Sequence, residues 1–135
     1  MRRPTRKPLT RQQLLPLPAD QVRRLQLKHH SALAALIAGR ADVAQLGALV
    51  STLDLTHALS DFTKPDPTRH HAARGALERI VVQLAGGAPT VPSDDERLAL
   101  EYVLLIHDAQ LAAVPRHRYL DALMSVQRAV SATAP

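Results

Sequence analysis

The chain has 135 residues, a formal net charge of +5 and no cysteine, which is the size of one domain and excludes disulfides and thiolate metal sites. Only three aromatic residues are present, Phe62, Tyr102 and Tyr119, so stacking platforms for single-stranded nucleic acid are not expected. The absence of cysteine, of an 18-residue apolar run and of an apolar signal segment predicts a cytoplasmic protein outside the membrane.

The first eleven residues, MRRPTRKPLTR, are strongly basic and contain no acid. They hold five of the 17 Lys and Arg, and the other 12 balance the 12 Asp and Glu of the chain. Prolines at positions 4, 8, 16 and 18 disfavour helix here. We therefore predict an extended, flexible arm over residues 1–18 and a bundle domain over residues 19–132. The arm is either a tether for polyanions or a terminus without a partner.

The remaining prolines separate segments with helical periodicity. The first segment follows Pro18 and stops near Gly39, a typical C-terminal glycine. The second begins after Asp42, a good N-cap, and should form an antiparallel hairpin with the first. Stripes at spacings of three and four predict the buried faces: Val22, Leu25, His29, Leu33 and Leu36 in the first segment, and Val43, Leu46, Val50, Leu53 and His57 in the second. Burial of Leu46 and Leu53 is the specific expectation.

Three further helices are predicted in the second half. One runs from Thr68, its predicted N-cap, to Leu84, and Gly86-Gly87 ends it. The next begins with the capping box of Ser93 and Glu96, and the last follows Pro115. Their predicted stripes are His70, Ala73, Leu77, Ile80 and Leu84; then Leu98, Tyr102, Leu105, Ala109 and Ala112; then Leu120, Leu123, Gln127 and Val130. The whole is an all-α, single-domain bundle of about five helices.

Seven histidines are present, including two adjacent pairs. Two neighbouring residues on a helix point about 100° apart, so an adjacent pair cannot coordinate one metal ion. Neither HExxH nor ExxH occurs in the sequence, and no metal site is predicted. The alternative that histidines from different helices converge stays open. His29, His57 and His70 fall on apolar stripes, which predicts partly buried rings that make the fold sensitive to acid.

Catalytic and cofactor-binding patterns are missing from the sequence. There is no glycine-rich phosphate loop, no GxSxG elbow and no cysteine nucleophile. Glu101 and Asp108 lie seven residues apart on one predicted helix face, near His107, but surface acids commonly have this spacing. We predict a protein that is not an enzyme and has no cofactor.

Direct DNA reading by a helix-turn-helix is also disfavoured. The second helix of the first hairpin has no Lys or Arg from Val43 to Leu59, whereas base readout normally uses such residues. We interpret this helix as part of the core. Contacts with nucleic acid are assigned instead to the cations of the arm and of the first long helix: Arg2, Arg3, Arg6, Lys7, Arg11, Arg23, Arg24 and Lys28.

Two stretches, LKHHSALAALIAGRADVAQLGALVSTLDLTHAL and LLIHDAQLAAV, resemble a group of short helical proteins of proteobacterial phages and mobile elements. Some of that group are labelled Fis-like transcriptional regulators. The similarity spans roughly residues 20–60 and 96–130 and includes a few polar positions: Lys28, His29, Gly39, Arg40, His107, Asp108 and Gln110. The resemblance implies an accessory protein of a mobile element.

Two functional hypotheses follow. The first is a nucleic-acid-associated or transcription-regulating bundle that self-associates through apolar faces and brings basic arms to DNA or RNA. The second is a phage- or plasmid-encoded inhibitor, of the anti-CRISPR or anti-restriction type, that binds a host defence protein through its bundle surface.

Overall fold

A computed structural model describes residues 8–133. These residues contain no β-strand, only an isolated bridge between Pro16 and Pro115. The all-α class is confirmed, and the described part of the chain forms one bundle. Its helices are α1 Arg11–Leu14, α2 Ala19–Ile37, α3 Val43–Ala58, α4 Pro67–Ala85, α5 Asp94–Ala113 and α6 Arg116–Thr133. Helices α2 to α6 correspond to the five predicted from the sequence, and α1 is a sixth, short helix that was not predicted.

Helix caps follow local sequence chemistry at most ends. Asp42 and Ser93 each accept a hydrogen bond from the third backbone N–H of their helix, as predicted. The predicted cap of α4 is wrong, because Asp66 rather than Thr68 occupies that position and accepts from the backbone N–H of Arg69 at 3.0 Å. Pro67 is the first helical residue, where its missing N–H costs nothing. Asp66 therefore fixes the start of α4 two residues earlier than predicted.

Glycines end two of the helices as expected. Gly39 follows α2 with a φ of +74°, and Gly87 follows α4 with a φ of +82°. A side chain is strained in this left-handed region, which is why glycine is favoured after a helix.

Helix α3 lies at the centre of the bundle, in contact with α2, α4, α5 and α6. Helices α3 and α4 run antiparallel, since Leu53 near the end of α3 meets His70 near the start of α4. By contrast, α3 and α5 end on the same side of the bundle, where Gln110 of α5 meets Thr56 of α3. A helix in contact with four others has little surface for charged side chains. Accordingly, α3 contains no Lys, Arg or Glu, and Asp54 is its one carboxylate.

Two clusters of buried apolar side chains fill the bundle. The aliphatic core joins α2, α3, α4 and α5; the second cluster, here called the arm-end core, joins the chain before α2 to α3, α5 and α6. The aliphatic core consists of Ala32, Leu33, Leu36, Leu49, Leu53, Ala73, Leu77, Ile80, Leu100, Val103 and Leu104. The arm-end core consists of Leu17, Leu55, Leu59, Leu111, Val114, Tyr119, Ala122 and Val126.

The predicted buried faces of α2 and α4 are confirmed at most positions. In α4 the face from His70 to Ile80 is buried, and in α2 the rings and side chains of His29, Leu33 and Leu36 are buried. Val22, Leu25 and Leu84 are partly buried against the two cores.

Three other predicted faces are wrong in whole or in part. In α3, Leu53 is buried, but Leu46 and Val50 are half-buried, His57 is exposed and Val43 is 86% exposed. Helix α3 is apolar around much of its circumference, so several stripes of the same spacing can be drawn and only the neighbouring helices select one. In α5 the exposed members of the predicted stripe are Leu98, Leu105, Ala109 and Ala112; in α6 they are Leu120, Gln127 and Val130.

The described part of the predicted arm packs against α6. Thr10 and Gln13 cap the single turn of α1 in a capping box, because the interval between Pro8 and Pro16 is long enough for one turn. Arg116 donates its backbone N–H to the carbonyl of Leu15 at 2.9 Å, and Leu17 is buried in the arm-end core. The segment before α2 is thus held on the bundle, so the prediction of an extended, flexible arm is wrong for residues 11–17. Arg2, Arg3, Arg6 and Lys7 lie outside the described residues.

Among residues 8–133, no helix has both the length and the apolar character needed to cross a membrane.

Candidate functional site

The two ends of the bundle differ in charge. We call the end that holds α1 and the starts of α2, α4 and α6 the arm end, and the opposite end the far end. The residues are divided at the middle of each helix, with Lys28 at the midpoint of α2. Basic residues outnumber acidic ones at the arm end, and acidic residues outnumber basic ones at the far end. The arm end carries Arg11, Arg23, Arg24, Lys64, Arg69, Arg74, Arg116 and Arg118 against Asp20, Asp54, Asp61, Asp66, Asp108 and Asp121. The far end carries Arg40, Arg79, Arg97 and Arg128 against Asp42, Glu78, Asp94, Asp95, Glu96 and Glu101.

Three of the predicted nucleic-acid contacts lie on the exposed part of α2. Arg23, Arg24 and Lys28 are exposed; Arg24 and Lys28 are four residues apart on one flank of the helix, and Arg23 points about 100° away from Arg24. Asp20 partly neutralises this part of α2 through an ion pair with Arg24 at 3.5 Å, and both side chains are largely exposed, which makes the pair weak. Arg11 is exposed on α1. This part of α2 therefore presents cations to solvent at the arm end.

A second basic feature lies at the corner between α3 and α4. Here the last turn of α3, the connecting loop and the first turns of α4 surround a cavity of about 500 Å³, which we call the α3–α4 pocket. Its walls are formed by His57, Ser60, Lys64, Pro65, Pro67, His70, His71 and Arg74. Three imidazoles, an ammonium and a guanidinium thus converge on one concave surface.

Two contacts orient side chains of this pocket. The buried ring of His70 donates from Nε2 to the carbonyl of Leu53 at 3.0 Å, and its centroid lies 6.1 Å from that of His57. Arg74 donates from Nη2 to Oδ1 of Asp54 at 2.8 Å across the α3–α4 interface. When the His70 ring is neutral, its Nδ1 is left as an acceptor; when the ring is protonated, Nδ1 becomes a donor.

Sequence reasoning missed this pocket. Each adjacent histidine pair was judged separately, and two neighbours on one helix cannot converge. The fold adds His57 from the preceding helix and Lys64 from the loop. A usable signal was present, because a histidine in the last turn of one helix and a pair in the first turn of the next must meet when a short loop joins antiparallel helices.

A layer of buried polar side chains lies between the two cores. On α2, His29 falls between Leu25 of the arm-end side and Leu33 of the aliphatic core; on α5, His107 falls between Leu104 and Leu111. Their ring centroids are 5.3 Å apart. Sequence analysis placed His29 on the buried stripe but left His107 off it.

Gln110 connects this layer to the end of α3. Its Nε2 donates to the carbonyls of Thr56, Leu59 and Thr63 at 2.9 to 3.1 Å. Its Oε1 accepts from Nδ1 of His107 at 3.1 Å, which assigns the proton of the neutral ring to Nδ1. The amide thereby pairs with the carbonyl of Thr56 in the last turn of α3, which a helix end leaves without a backbone partner, and with the carbonyl of Leu59, which also accepts from the N–H of Phe62.

Burial sets the protonation of both rings in the layer. Desolvation, followed by the neighbouring His107, lowers the pKa of His29 to about 4. Burial also lowers the pKa of His107, although the hydrogen bond to Gln110 and the charge of Asp108 act in the opposite direction. Both rings are therefore neutral at pH 7.

The carboxylates considered as catalytic candidates do not converge. Asp108 pairs with His30 at 2.8 Å, and Glu101 pairs with Arg97 at 3.7 Å along its own helix. Within residues 8–133, no group of three His, Asp or Glu side chains is placed to hold a metal ion.

Comparisons with known proteins found no matching family model, curated protein or solved structure. The resemblance to helical proteins of phages and mobile elements therefore stays a prediction.

Proposed function

We propose that the protein is a non-enzymatic, nucleic-acid-associated helical bundle whose arm end binds the phosphate backbone. The observation that carries this proposal is the exposure of Arg23, Arg24 and Lys28 on α2, the first long helix after the basic N-terminal segment. The docking of Leu17 holds the base of that segment on the bundle. The cations of the N-terminal segment, before Leu17, and those of α2, after it, can then contact the same stretch of phosphate backbone.

The mode of binding is electrostatic rather than base-specific. Helix α3 contacts four other helices, which supports its interpretation as core, and its exposed residues include no Lys or Arg that could read a base in a groove. Arg and Lys contacts to phosphates position a protein on DNA or RNA without reading sequence. In a mobile element, such a protein would serve as an accessory to transcription or to nucleic-acid packaging.

Self-association would bring two arms to one nucleic acid. An apolar groove of about 710 Å³ between α3 and α4 supports this part of the proposal, with walls that include Val43, Leu46, Val50, Val81 and Leu84. Sedimentation velocity over a hundredfold range of concentration measures the oligomeric state.

The same groove favours the second candidate, an inhibitor that binds a host defence protein. In that case the bundle surface carries the interaction and the arm is dispensable. Binding to nucleic acid distinguishes the two candidates.

The test is a salt titration of affinity for duplex DNA with three proteins: the full chain, a variant lacking residues 2–7, and Arg40→Gln as a far-end control. If the five N-terminal cations all reach phosphates, the slope of log affinity against log salt is about −4 to −5. Removing residues 2–7 deletes four of them but leaves α1 and Leu17 in place, so the slope should fall by about 3 to 4 while the melting temperature is unchanged.

Arg40→Gln should retain the slope of the full chain. An absence of binding at low salt by the full chain would contradict the proposal and favour the inhibitor. Equal affinities of the full chain and the shortened variant would show that the arm is not the interface.

A further inference from the structure

We propose that the α3–α4 pocket binds a phosphate monoester. The polar groups on its walls are three imidazoles, the ammonium of Lys64, the guanidinium of Arg74 and the hydroxyl of Ser60. The ring of His70 already donates from Nε2 to the carbonyl of Leu53, and the other groups have N–H or O–H donors for an anion. No carboxylate of the described residues belongs to the wall. This donor set suits a doubly charged oxyanion. The inference does not depend on the proposed function, although a terminal phosphate of a nucleic-acid strand would connect the two.

The charge inside the pocket remains positive after its ion pair is taken into account. Asp54 pairs with one nitrogen of the Arg74 guanidinium. A guanidinium has five N–H donors, so Arg74 keeps others that can bind an anion. Lys64 has no ion pair among the described residues. An anion that enters the pocket therefore meets an excess of positive charge.

The neighbouring carboxylates are engaged elsewhere. Asp66 accepts from the backbone N–H of Arg69 as the cap of α4, and Asp61 pairs with Arg118 of α6 at 3.1 Å. Glu78 lies one helical turn beyond Arg74, away from the start of α4. None of these groups supplies the negative counterpart that the pocket lacks.

The shape of the pocket indicates a phosphate with a substituent rather than a bare anion. Its volume of about 500 Å³ is within the range of small-molecule sites and exceeds what one phosphate fills. Pro65 and Pro67 supply the apolar part of the wall, and no Tyr, Phe or Trp is present for a base to stack on. Recognition therefore centres on the phosphate, and the attached group is held weakly.

The site is tested by NMR of the histidine rings at pH 6.5 while inorganic phosphate is added at constant ionic strength. The rings of His57 and His71 should shift and saturate together. The ring of His117, which donates to the carbonyl of Gln13 on the other side of the arm end, should not shift. Lys64→Gln should weaken phosphate binding at least fivefold, whereas Arg40→Gln removes one charge at the far end and should leave binding unchanged. Lys64 is exposed, so its variant is expected to fold.

Linear, unsaturated shifts that are equal for His57 and His117 would overturn the proposal, as would an unchanged affinity in Lys64→Gln. Two ligands then identify the source of the phosphate. Tighter binding of a 5′-phosphorylated oligonucleotide than of its 5′-hydroxyl form, abolished by Lys64→Gln, indicates a strand end. Equal binding of the two forms together with saturable binding of adenosine monophosphate indicates a free phosphorylated metabolite. Saturable phosphate binding without any oligonucleotide binding would leave this inference standing while the proposed function fails.

Discussion

The two cores of the bundle differ in composition and in the interactions that stabilise them. The aliphatic core is made only of Leu, Ile, Val and Ala side chains from four antiparallel helices. The arm-end core must also accommodate Leu17, the buried Tyr119 and the end of α3, and the polar layer of His107 and Gln110 borders it. Apolar contacts suffice at the first core, whereas the second also depends on hydrogen bonds and on neutral histidines. Stability of the two regions should therefore respond to different perturbations.

The largest expected effect is in the aliphatic core. Leu53 is 3% exposed, so Leu53→Ala should lower the free energy of unfolding by about 2 to 5 kcal/mol through lost contacts and a cavity. Leu46→Ala on the same helix should cost less, because Leu46 is only half-buried. Denaturant unfolding at pH 7 measures both. Equal costs for the two variants would contradict the buried face observed for α3.

Acid should act on the polar layer. The folded-state pKa of His29 is about 4, below the unfolded value of about 6.5, so the unfolded state binds the proton first as pH falls. Stability is complete above pH 6.5 and declines between pH 6.5 and 4, by roughly 3 kcal/mol for this ring. His107 contributes in the same direction. Unfolding free energies at pH 7.5, 6.5, 5.5 and 4.5 test this, with His29→Leu expected to flatten the profile.

Glu96 provides an internal comparison for that titration. Arg79 holds the pKa of Glu96 at about 2 through a hydrogen-bonded ion pair at 2.8 Å. The ionised carboxylate therefore stabilises the fold at every pH above about 4.5, the ordinary pKa of a glutamate. This contribution is lost only as pH falls below that value toward the folded-state pKa. A loss of stability confined to pH below 4.5, with none between pH 7 and 5, would assign acid sensitivity to carboxylates rather than to the polar layer.

A smaller effect is expected at Gln110. Gln110→Met keeps most of the side-chain volume but leaves the carbonyls of Thr56, Leu59 and Thr63 and the Nδ1 of His107 without this partner. Buried unpaired groups of this kind cost about 1 to 3 kcal/mol. The exposed Gln127→Met is the matched control and should change stability by less than about 0.5 kcal/mol. A Gln110 variant as stable as this control would show that solvent replaces the amide.

Much of the fold was predictable because its signals are local. Helix ends depend on residues a few positions apart, so Asp42, Ser93, Gly39 and Gly87 could be interpreted without knowing the rest of the chain. The exception at Asp66 is also local, since Pro67 can serve as the first helical residue. The buried face of α2 was predictable for a related reason, because its apolar stripe stands against a distinct polar side.

The remaining features depend on which helices meet, and the sequence alone does not specify that. A central position makes α3 buried on several sides, so its spacing could not select the true face. The polar layer and the α3–α4 pocket each combine residues from different segments: His29 with His107, and His57 with Lys64 and His70. Sequence by itself determined that the chain forms helices, where most of them end, and that its charge is concentrated near the N-terminus. Only the tertiary structure decided which polar groups lose water and which converge, because desolvation and proximity arise from packing between segments distant in the chain.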